Sequence, residues 1–244
     1  SLGREFTDVI VERSLREALI RLNPSIAEKP ERADEVIYRL RTIWLGSHST
    51  GLVAANQEFE KWLKNDKSMP FGPNNEHVTI QVVDFDNPGN NEFIVTKEWT
   101  FIQAGVEKRF DVVYLINGIP VVIGEVKTPV RDAVSWLDGA LQVHDDYEIN
   151  VSQMFVPNVF SYASEGKAFR YGSVRMPIEM WGPWREDEGH ALSDVRRTLK
   201  SLMRPEVILD ILQNFTLFAT DKKHRAIKII CRYQQYDGAN KIVE

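Results

Sequence analysis

Arg109-Phe110-Asp111-Val112-Val113-Tyr114-Leu115-Ile116-Asn117-Gly118-Ile119-Pro120-Val121-Val122-Ile123-Gly124-Glu125-Val126-Lys127 is the stretch that decides the fold. Two apolar, β-branched runs flank Asn-Gly, the dipeptide that tight hairpins favour, so the stretch predicts two antiparallel strands. Three charges interrupt it: Asp111, and then Glu125 and Lys127 one residue apart. Burying them unpaired costs several kcal/mol, and a divalent cation would pair the acids.

Residues two apart on a strand share a face, so Glu125 and Lys127 point one way and Val122 and Val126 the other. Whether Asp111 joins Glu125 depends on register. A two-residue Asn117-Gly118 loop sets Asp111 opposite Gly124, on the wrong face. An odd-length loop, Asn117-Gly118-Ile119, or a bulge sets it opposite Glu125, and Pro120 then starts the second strand, where a missing N–H is tolerated. Two carboxylates about 4 Å apart repel by roughly 4 kcal/mol at an effective dielectric of about 20. Mg²⁺, which takes oxygen ligands and keeps waters, lets both ionise.

Working outward, Asp8 to Leu22 has helical spacing at Val11, Leu15, Ala18, Leu19 and Leu22, and Asn23-Pro24 ends it. Glu31 to Trp44 and Thr50 to Leu63 read as two further helices. After the Pro70 to Asn75 punctuation the period changes to alternation, and His77 to Val83, Glu92 to Phe101, Lys108 to Ile116 and Pro120 to Lys127 read as strands. Ala133 to Tyr147 reads as helix, Asn158 to Tyr162 and Ala168 to Ser173 as short strands. Leu192 to Met203, capped by the preceding polar loop, and Pro205 to Phe215 read as helices.

The 244 residues suit one large domain or two small ones. A single cysteine, Cys231, excludes an internal disulfide framework, and no apolar run is long enough to span a membrane; a cytoplasmic setting is expected. The net charge of −5 is uneven, with 14 Lys+Arg against 11 Asp+Glu from Val159 onward and 16 against 24 before it. Basic groups available to phosphate are Lys108, Arg109, Arg131, Lys167, Arg170 and Arg175, although each taken singly reads more readily as solvated surface. The acidic total predicts weak nucleic-acid affinity for the chain alone.

Asp111 with Glu125-Val126-Lys127 resembles the Asp…Glu-x-Lys nuclease signature. The wider run from Phe110 to Lys127, with Asn-Gly-x-Pro between its strands, is similar to the amino-terminal endonuclease domain of the type I restriction enzyme motor (R) subunit. In that family the next helix carries a Gln and a Tyr, and Ala140-Leu141-Gln142-Val143-His144-Asp145-Asp146-Tyr147 resembles it. The family spacing has three residues between them and this chain has four, which assigns Gln142 and leaves the role of Tyr147 open. Phe160 to Gly172, turning at Ser164-Glu165-Gly166, resembles the following hairpin. Lys228 to Tyr236 resembles the segment leading into the helicase motor, where a Gln before a Tyr helps to recognise adenine; the matching residue is Gln235. No Gly-x-x-x-x-Gly-Lys-Ser/Thr loop occurs, so the chain looks like a fragment and ATP would serve only the full-length subunit.

The resemblance implies an α/β, restriction-endonuclease-like core with a mixed central sheet flanked by helices, preceded by an amino-terminal helical segment. Residues 1–70 would be the helical segment, 71–218 the nuclease core with trailing helices, and 219–244 the connection toward a motor. It implies Mg²⁺-dependent hydrolysis of duplex DNA without local sequence reading, with Asp111, Glu125, Lys127 and Gln142 catalytic and the metal on Asp111, Glu125 and the Val126 carbonyl. Methyltransferase and specificity subunits would be the partners. Rival readings are a repair or recombination nuclease of the same fold and a module that docks the methyltransferase. Glu58 and Glu60 flank Phe59; one could face the metal from the helix, but solvent is the more expected place for either. His48, His77, His144, His190 and His224 have no zinc-ligand spacing. Trp181 and Trp184 read as packing rather than base stacking.

Overall fold

The computed structural model describes residues 2–128, 130, 133–185 and 191–243. Arg131 and His190 lie outside the described residues. The chain opens with α1 (Glu12–Leu22), α2 (Pro24–Ala27), α3 (Arg32–Thr50) and α4 (Leu52–Leu63). The two-residue strands β1 (Ser68–Met69) and β2 (Val78–Thr79) follow, then β3 (Phe93–Gln103), β4 (Val106–Ile116) and β5 (Ile119–Val126). After α5 (Trp136–Leu141), a π-turn at Gln142–Tyr147 and α6 (Glu148–Asn150) come β6 (Phe160–Ser164) and β7 (Phe169–Gly172). The last elements are α7 (Leu192–Leu202), α8 (Pro205–Asn214), the hairpin β8 (Thr216–Thr220) and β9 (Ala226–Ile230), and α9 (Tyr233–Val243).

The architecture is α/β. Its five-stranded sheet has the order β3-β4-β5-β6-β7, antiparallel except for β5 and β6, which run parallel. The parallel pair needs a crossover, which α5, the π-turn and α6 supply. β6 is buried throughout and β5 from Ile119 to Glu125, which explains the unbroken apolar run Val121-Val122-Ile123. No helix among the described residues is long and apolar enough to cross a membrane.

The hairpin register resolves the two alternatives by using parts of both. Asn117 and Gly118 form a two-residue turn with φ of 51° and 78°, and Ile116 pairs with Ile119, so the strand starts one residue before Pro120. Leu115 pairs with Pro120, but Tyr114 pairs with Val122, which leaves Val121 as a one-residue bulge. Beyond the bulge Val112 pairs with Gly124, the register in which Asp111 falls opposite Glu125. Pro120 precedes the pairing with β6, which begins at Val122, so its missing N–H leaves that ladder intact. Gly118 could not be replaced: a Cβ there would come within 2.5 Å of the Val11 carbonyl.

One of the expected helices and one of the expected strands change for a visible reason. α3 continues past Trp44 to Thr50 and is stopped by Gly51, at φ 84°, whose N–H donates to the Ser47 carbonyl at 2.9 Å. Only Val78–Thr79 of the expected His77–Val83 strand pairs with a neighbour. Ile80 and Val82 are buried as alternation implies and Val83 is buried as well; the Ile80 N–H still bonds the Lys67 carbonyl at 2.9 Å, but from Gln81 to Val83 side-chain amides take the place of a partner strand. Asn23 bonds both backbone groups of Gln81 (2.7 and 2.8 Å), Asn65 receives the Val82 N–H and donates to the Val83 carbonyl (both 2.8 Å), and Asn117 donates to the Val82 carbonyl (2.9 Å).

Candidate active site

Glu125 is the last buried residue of β5, with 2% of its surface exposed. The Lys127 ammonium donates to Glu125 Oε1 at 2.8 Å and also to Gln142 Oε1. On the other side, Asp111 Oδ2 accepts the Val126 N–H at 2.8 Å, which ties the acid of β4 to the backbone between Glu125 and Lys127. A strand residue's N–H and C=O leave on the same edge, so the Val126 carbonyl lies on the Asp111 side. The sequence therefore brings Asp111, Glu125, Val126, Lys127 and Gln142 together.

Tyr147 belongs with them. Gln142 Nε2 donates to the Tyr147 hydroxyl, which in turn donates to the Arg109 carbonyl of β4 at 3.3 Å. In an α-helix residues five apart do not share a face. The π-turn spanning Gln142–Tyr147 absorbs the extra residue and realigns them, so the departure in spacing is compensated in three dimensions. The motif signals Tyr147; only the local geometry says that it arrives. Instead of one helix over 133–147, the chain forms α5, capped by Ser135 and Asp138, and then the π-turn.

Burial pushes the Glu125 carboxyl up to about 7, with the Asp111 charge adding to the push and Lys127 opposing it. Burial and the Glu125 charge push the Tyr147 phenol up to about 12, which keeps it a hydrogen-bond donor at neutral pH. Glu125 Oε2 is buried without a hydrogen-bond partner. A two-carboxylate set with one orphaned buried oxygen, a nearby carbonyl and no third acid or imidazole among the described residues fits a hard cation that retains water ligands. Gly139 of α5 makes room for this arrangement: a Cβ there would lie 3.4 Å from Glu125 Cγ and 3.3 Å from Ala163 Cβ. One residue before Glu125, Gly124 is covered by the Tyr162 ring, 2.2 Å from where its Cβ would be.

The other expected residues separate. Glu60 is 3% exposed, which corrects its expected place in solvent: it pairs with Lys228 and Lys64, each at 2.8 Å, and accepts from the Thr216 hydroxyl at 2.6 Å. Its partners on β8 and β9 draw it inward. Glu58 is partly exposed and pairs with Lys61 and Lys67. Gln235 lies in the first turn of α9, where its Oε1 accepts the Arg232 N–H at 2.8 Å as a capping group. Trp184 is buried among Tyr171, Tyr233 and Tyr236, a packing role, and Trp181 is buried against Gly172. Of the basic groups, Lys108 is held by Asp146 at 2.7 Å and Arg175 by the buried Glu148 at 3.5 Å, while Arg109 faces the exposed Glu98 at 3.8 Å. Arg170 lies over the Trp136 ring, 5.5 Å from its centroid.

Residues 2–179 match the family described as type I restriction enzyme R protein N terminus. The chain is 30% identical to the type I restriction enzyme HindI endonuclease subunit of Haemophilus influenzae, over 98% of this chain and 23% of that protein. Two Methanocaldococcus jannaschii proteins, provisionally named the type I restriction enzyme MjaIXP and MjaVIIIP endonuclease subunits, are 24% and 26% identical over 98% and 99% of this chain. The chain covers 24% and 23% of those two, so it spans about a quarter of the length of these relatives. With the match extending over most of its residues and a 30% identical relative aligned along nearly all of it, the chain belongs to the type I restriction enzyme R protein N-terminal family.

Proposed function

We propose that this chain is a Mg²⁺-dependent endonuclease unit that hydrolyses phosphodiester bonds of duplex DNA without reading local sequence. The observation that carries the reading is Glu125: a buried carboxylate with one oxygen on Lys127 and the other unpartnered, beside Asp111. The relatives' names as endonuclease subunits support it. Mg²⁺ bound by Asp111, Glu125 and the Val126 carbonyl would polarise the scissile phosphate and lower the pKa of a coordinated water.

Lys127 orients the attacking water and offsets the charge that builds on the phosphoryl oxygens. Gln142 gives the ammonium a second acceptor beside Glu125, and Tyr147 holds Gln142 against the β4 backbone. Asp111 is fixed by the Val126 N–H, so its free lone pairs are already aimed before substrate arrives. In the longer polypeptide, ATP-driven translocation would deliver this unit to DNA, Gln235 would contribute to adenine recognition, and methyltransferase and specificity subunits would supply site recognition. Nicking of supercoiled plasmid tests the reading: Asp111→Asn, Glu125→Gln and Lys127→Ala should each abolish Mg²⁺-dependent nicking. Wild-type activity in Glu125→Gln would refute it.

A further inference from the structure

Glu92, just before β3, and Ile102, near its end, are an even number of residues apart, so on a regular strand their backbone groups would leave on the same edge. They leave on opposite edges. The Glu92 N–H and carbonyl bond Asn117, just past β4, at 2.8 and 2.9 Å. The Ile102 N–H instead donates to the Phe6 carbonyl, and the Thr100 carbonyl accepts from Arg4, both at 2.8 Å and both away from β4. The register with β4 is the same at both ends, from Phe93 with Ile116 to Gln103 with Val106, so no residue has been gained or lost between them. β3 has therefore turned over once. Its ladder with β4 is interrupted at one place, between the pairs Lys97–Val112 and Trp99–Phe110, where Glu98 stands opposite Asp111. Glu98 has φ 57°, the one residue of β3 in the left-handed region.

β4 turns over at the same point. Phe110 and Tyr114, four residues apart, would share a face on a regular strand. Phe110 packs edge-on against Tyr147, in the turn that continues α5, with ring centroids 5.0 Å apart. Tyr114 packs against Tyr162, whose neighbour Ala163 is the residue that faces α5 through Gly139. Phe110 thus lies on the α5 face of the sheet and Tyr114 on the other. The reversal has two results for the site. It brings the Arg109 carbonyl under the Tyr147 hydroxyl, and it takes Asp111 out of the β3–β4 ladder, where Oδ2 reaches the Val126 N–H of β5 at 2.8 Å. The Glu98 carboxylate contributes little to this: it is largely exposed and 3.8 Å from an equally exposed Arg109.

We propose that Glu98 is a positioning residue that acts through its backbone: by holding the left-handed conformation it opens the dislocation that presents Asp111 to β5 and the Arg109 carbonyl to Tyr147. This inference rests on the nuclease reading of the same acids. A left-handed residue is unfavourable for any L side chain, is taken readily by Gly and tolerated by Asn, and is resisted most by β-branched residues, which favour extended backbone. A regular ladder at this point would return Phe110 to the face of Tyr114, away from Tyr147, and would pair Asp111 with β3.

The experiment measures plasmid nicking and thermal melts, each over a Mg²⁺ titration, for wild type, Glu98→Gly, Glu98→Asn, Glu98→Gln and Glu98→Val. The first two variants suit the left-handed conformation and Glu98→Gln removes only the charge, so all three should nick within about twofold of wild type. Glu98→Val should lower kcat by about 100-fold, the effect of roughly 1 Å of misplacement at a reacting centre, with KM for plasmid little changed. It should also raise the Mg²⁺ concentration at half of the Tm rise by on the order of tenfold, as displaced ligand supports do. A merely structural role would lower the metal-free Tm and leave that concentration where it is. Glu98→Thr, branched but polar, decides the question if Glu98→Val does not fold. Wild-type nicking and Mg²⁺ dependence in the folded branched variant would overturn the proposal and leave the nuclease reading standing. Loss of nicking in Glu98→Gly would overturn it too, by placing the role in the side chain. A wild type that never nicks, with a Mg²⁺-dependent Tm rise kept by Glu98→Gly and weakened by the branched variant, would support the positioning role and overturn the nuclease reading.

Discussion

Replacing Glu125 by Gln should make the metal-free protein more stable at alkaline pH, and the structure gives the size of the effect. Burial raises the Glu125 carboxyl from 4.5 to about 7, a difference worth about 3 kcal/mol. Because the folded state holds this proton to higher pH than the unfolded chain, it binds more protons between about pH 4.5 and 7. Stability therefore falls as pH rises through that window and stays at the lower level above it. Glutamine has no charge to bury, so the variant escapes the fall. It also deprives Lys127 of its anionic partner, leaving the Gln142 contact, and that loss offsets part of the gain. A net increase of about 1 kcal/mol at pH 8.5 remains, or roughly 2–4 °C in Tm for a domain of this size. Thermal melts in EDTA at pH 5 and 8.5 measure it as the difference between variant and wild type, in which other titrating groups such as Glu148, pushed up to about 8 by burial, cancel. Excess Mg²⁺ at pH 8.5 should then raise the wild-type Tm and not the variant's, since only a site that binds metal in the folded state gains from it. A difference independent of pH, or a variant less stable by more than about 2 kcal/mol at both values, would refute the reasoning and make Glu125 a structural acid.

Tyr147→Phe removes the hydroxyl between Gln142 and the Arg109 carbonyl; kcat for nicking should fall while stability drops by only about 1 kcal/mol, as stopped nicking time courses and urea melts would register. Gly124→Ala should cost at least about 2 kcal/mol, because the Tyr162 ring occupies the space of the new methyl, and an unchanged urea midpoint would contradict that packing. Glu60→Gln should cost about 3–5 kcal/mol by leaving Lys228, 3% exposed, without its anion, whereas the double variant Glu60→Leu, Lys228→Met should recover most of it; chemical denaturation of the three proteins checks this.

Much of the central architecture is legible in the sequence because its signals are local and redundant. The Asn117-Gly118 turn, the apolar runs on either side of it and the switch from helical to alternating periodicity at Pro70 to Asn75 all point to helices followed by a sheet. The misreadings fall where a side chain does the work of a backbone neighbour. Gln81 to Val83 lies in a stretch that reads as a strand, but Asn23, Asn65 and Asn117 satisfy its backbone from three separate parts of the chain, and no pattern in 77–83 announces them. Glu60 has the composition of a surface helix residue, and its buried partner Lys228 lies far along the chain on β9, a strand the sequence reading had treated as part of a connection.

The site itself depends on two single-residue offsets of this less visible kind. Val121 bulges from β5 and shifts the register by one, without which Asp111 would face Gly124 rather than Glu125. The π-turn at Gln142–Tyr147 takes up one extra residue, without which Tyr147 would point away from Gln142. A period-two strand and a 3.6-residue helix both turn a one-residue slip into a change of face, so motif spacing alone leaves the convergence of these side chains undetermined. Both offsets interrupt regular hydrogen bonding locally. They fall at the two places where Asp111 meets Glu125 and Gln142 meets Tyr147, so two local irregularities of the backbone, rather than the regular elements, set the geometry of the site.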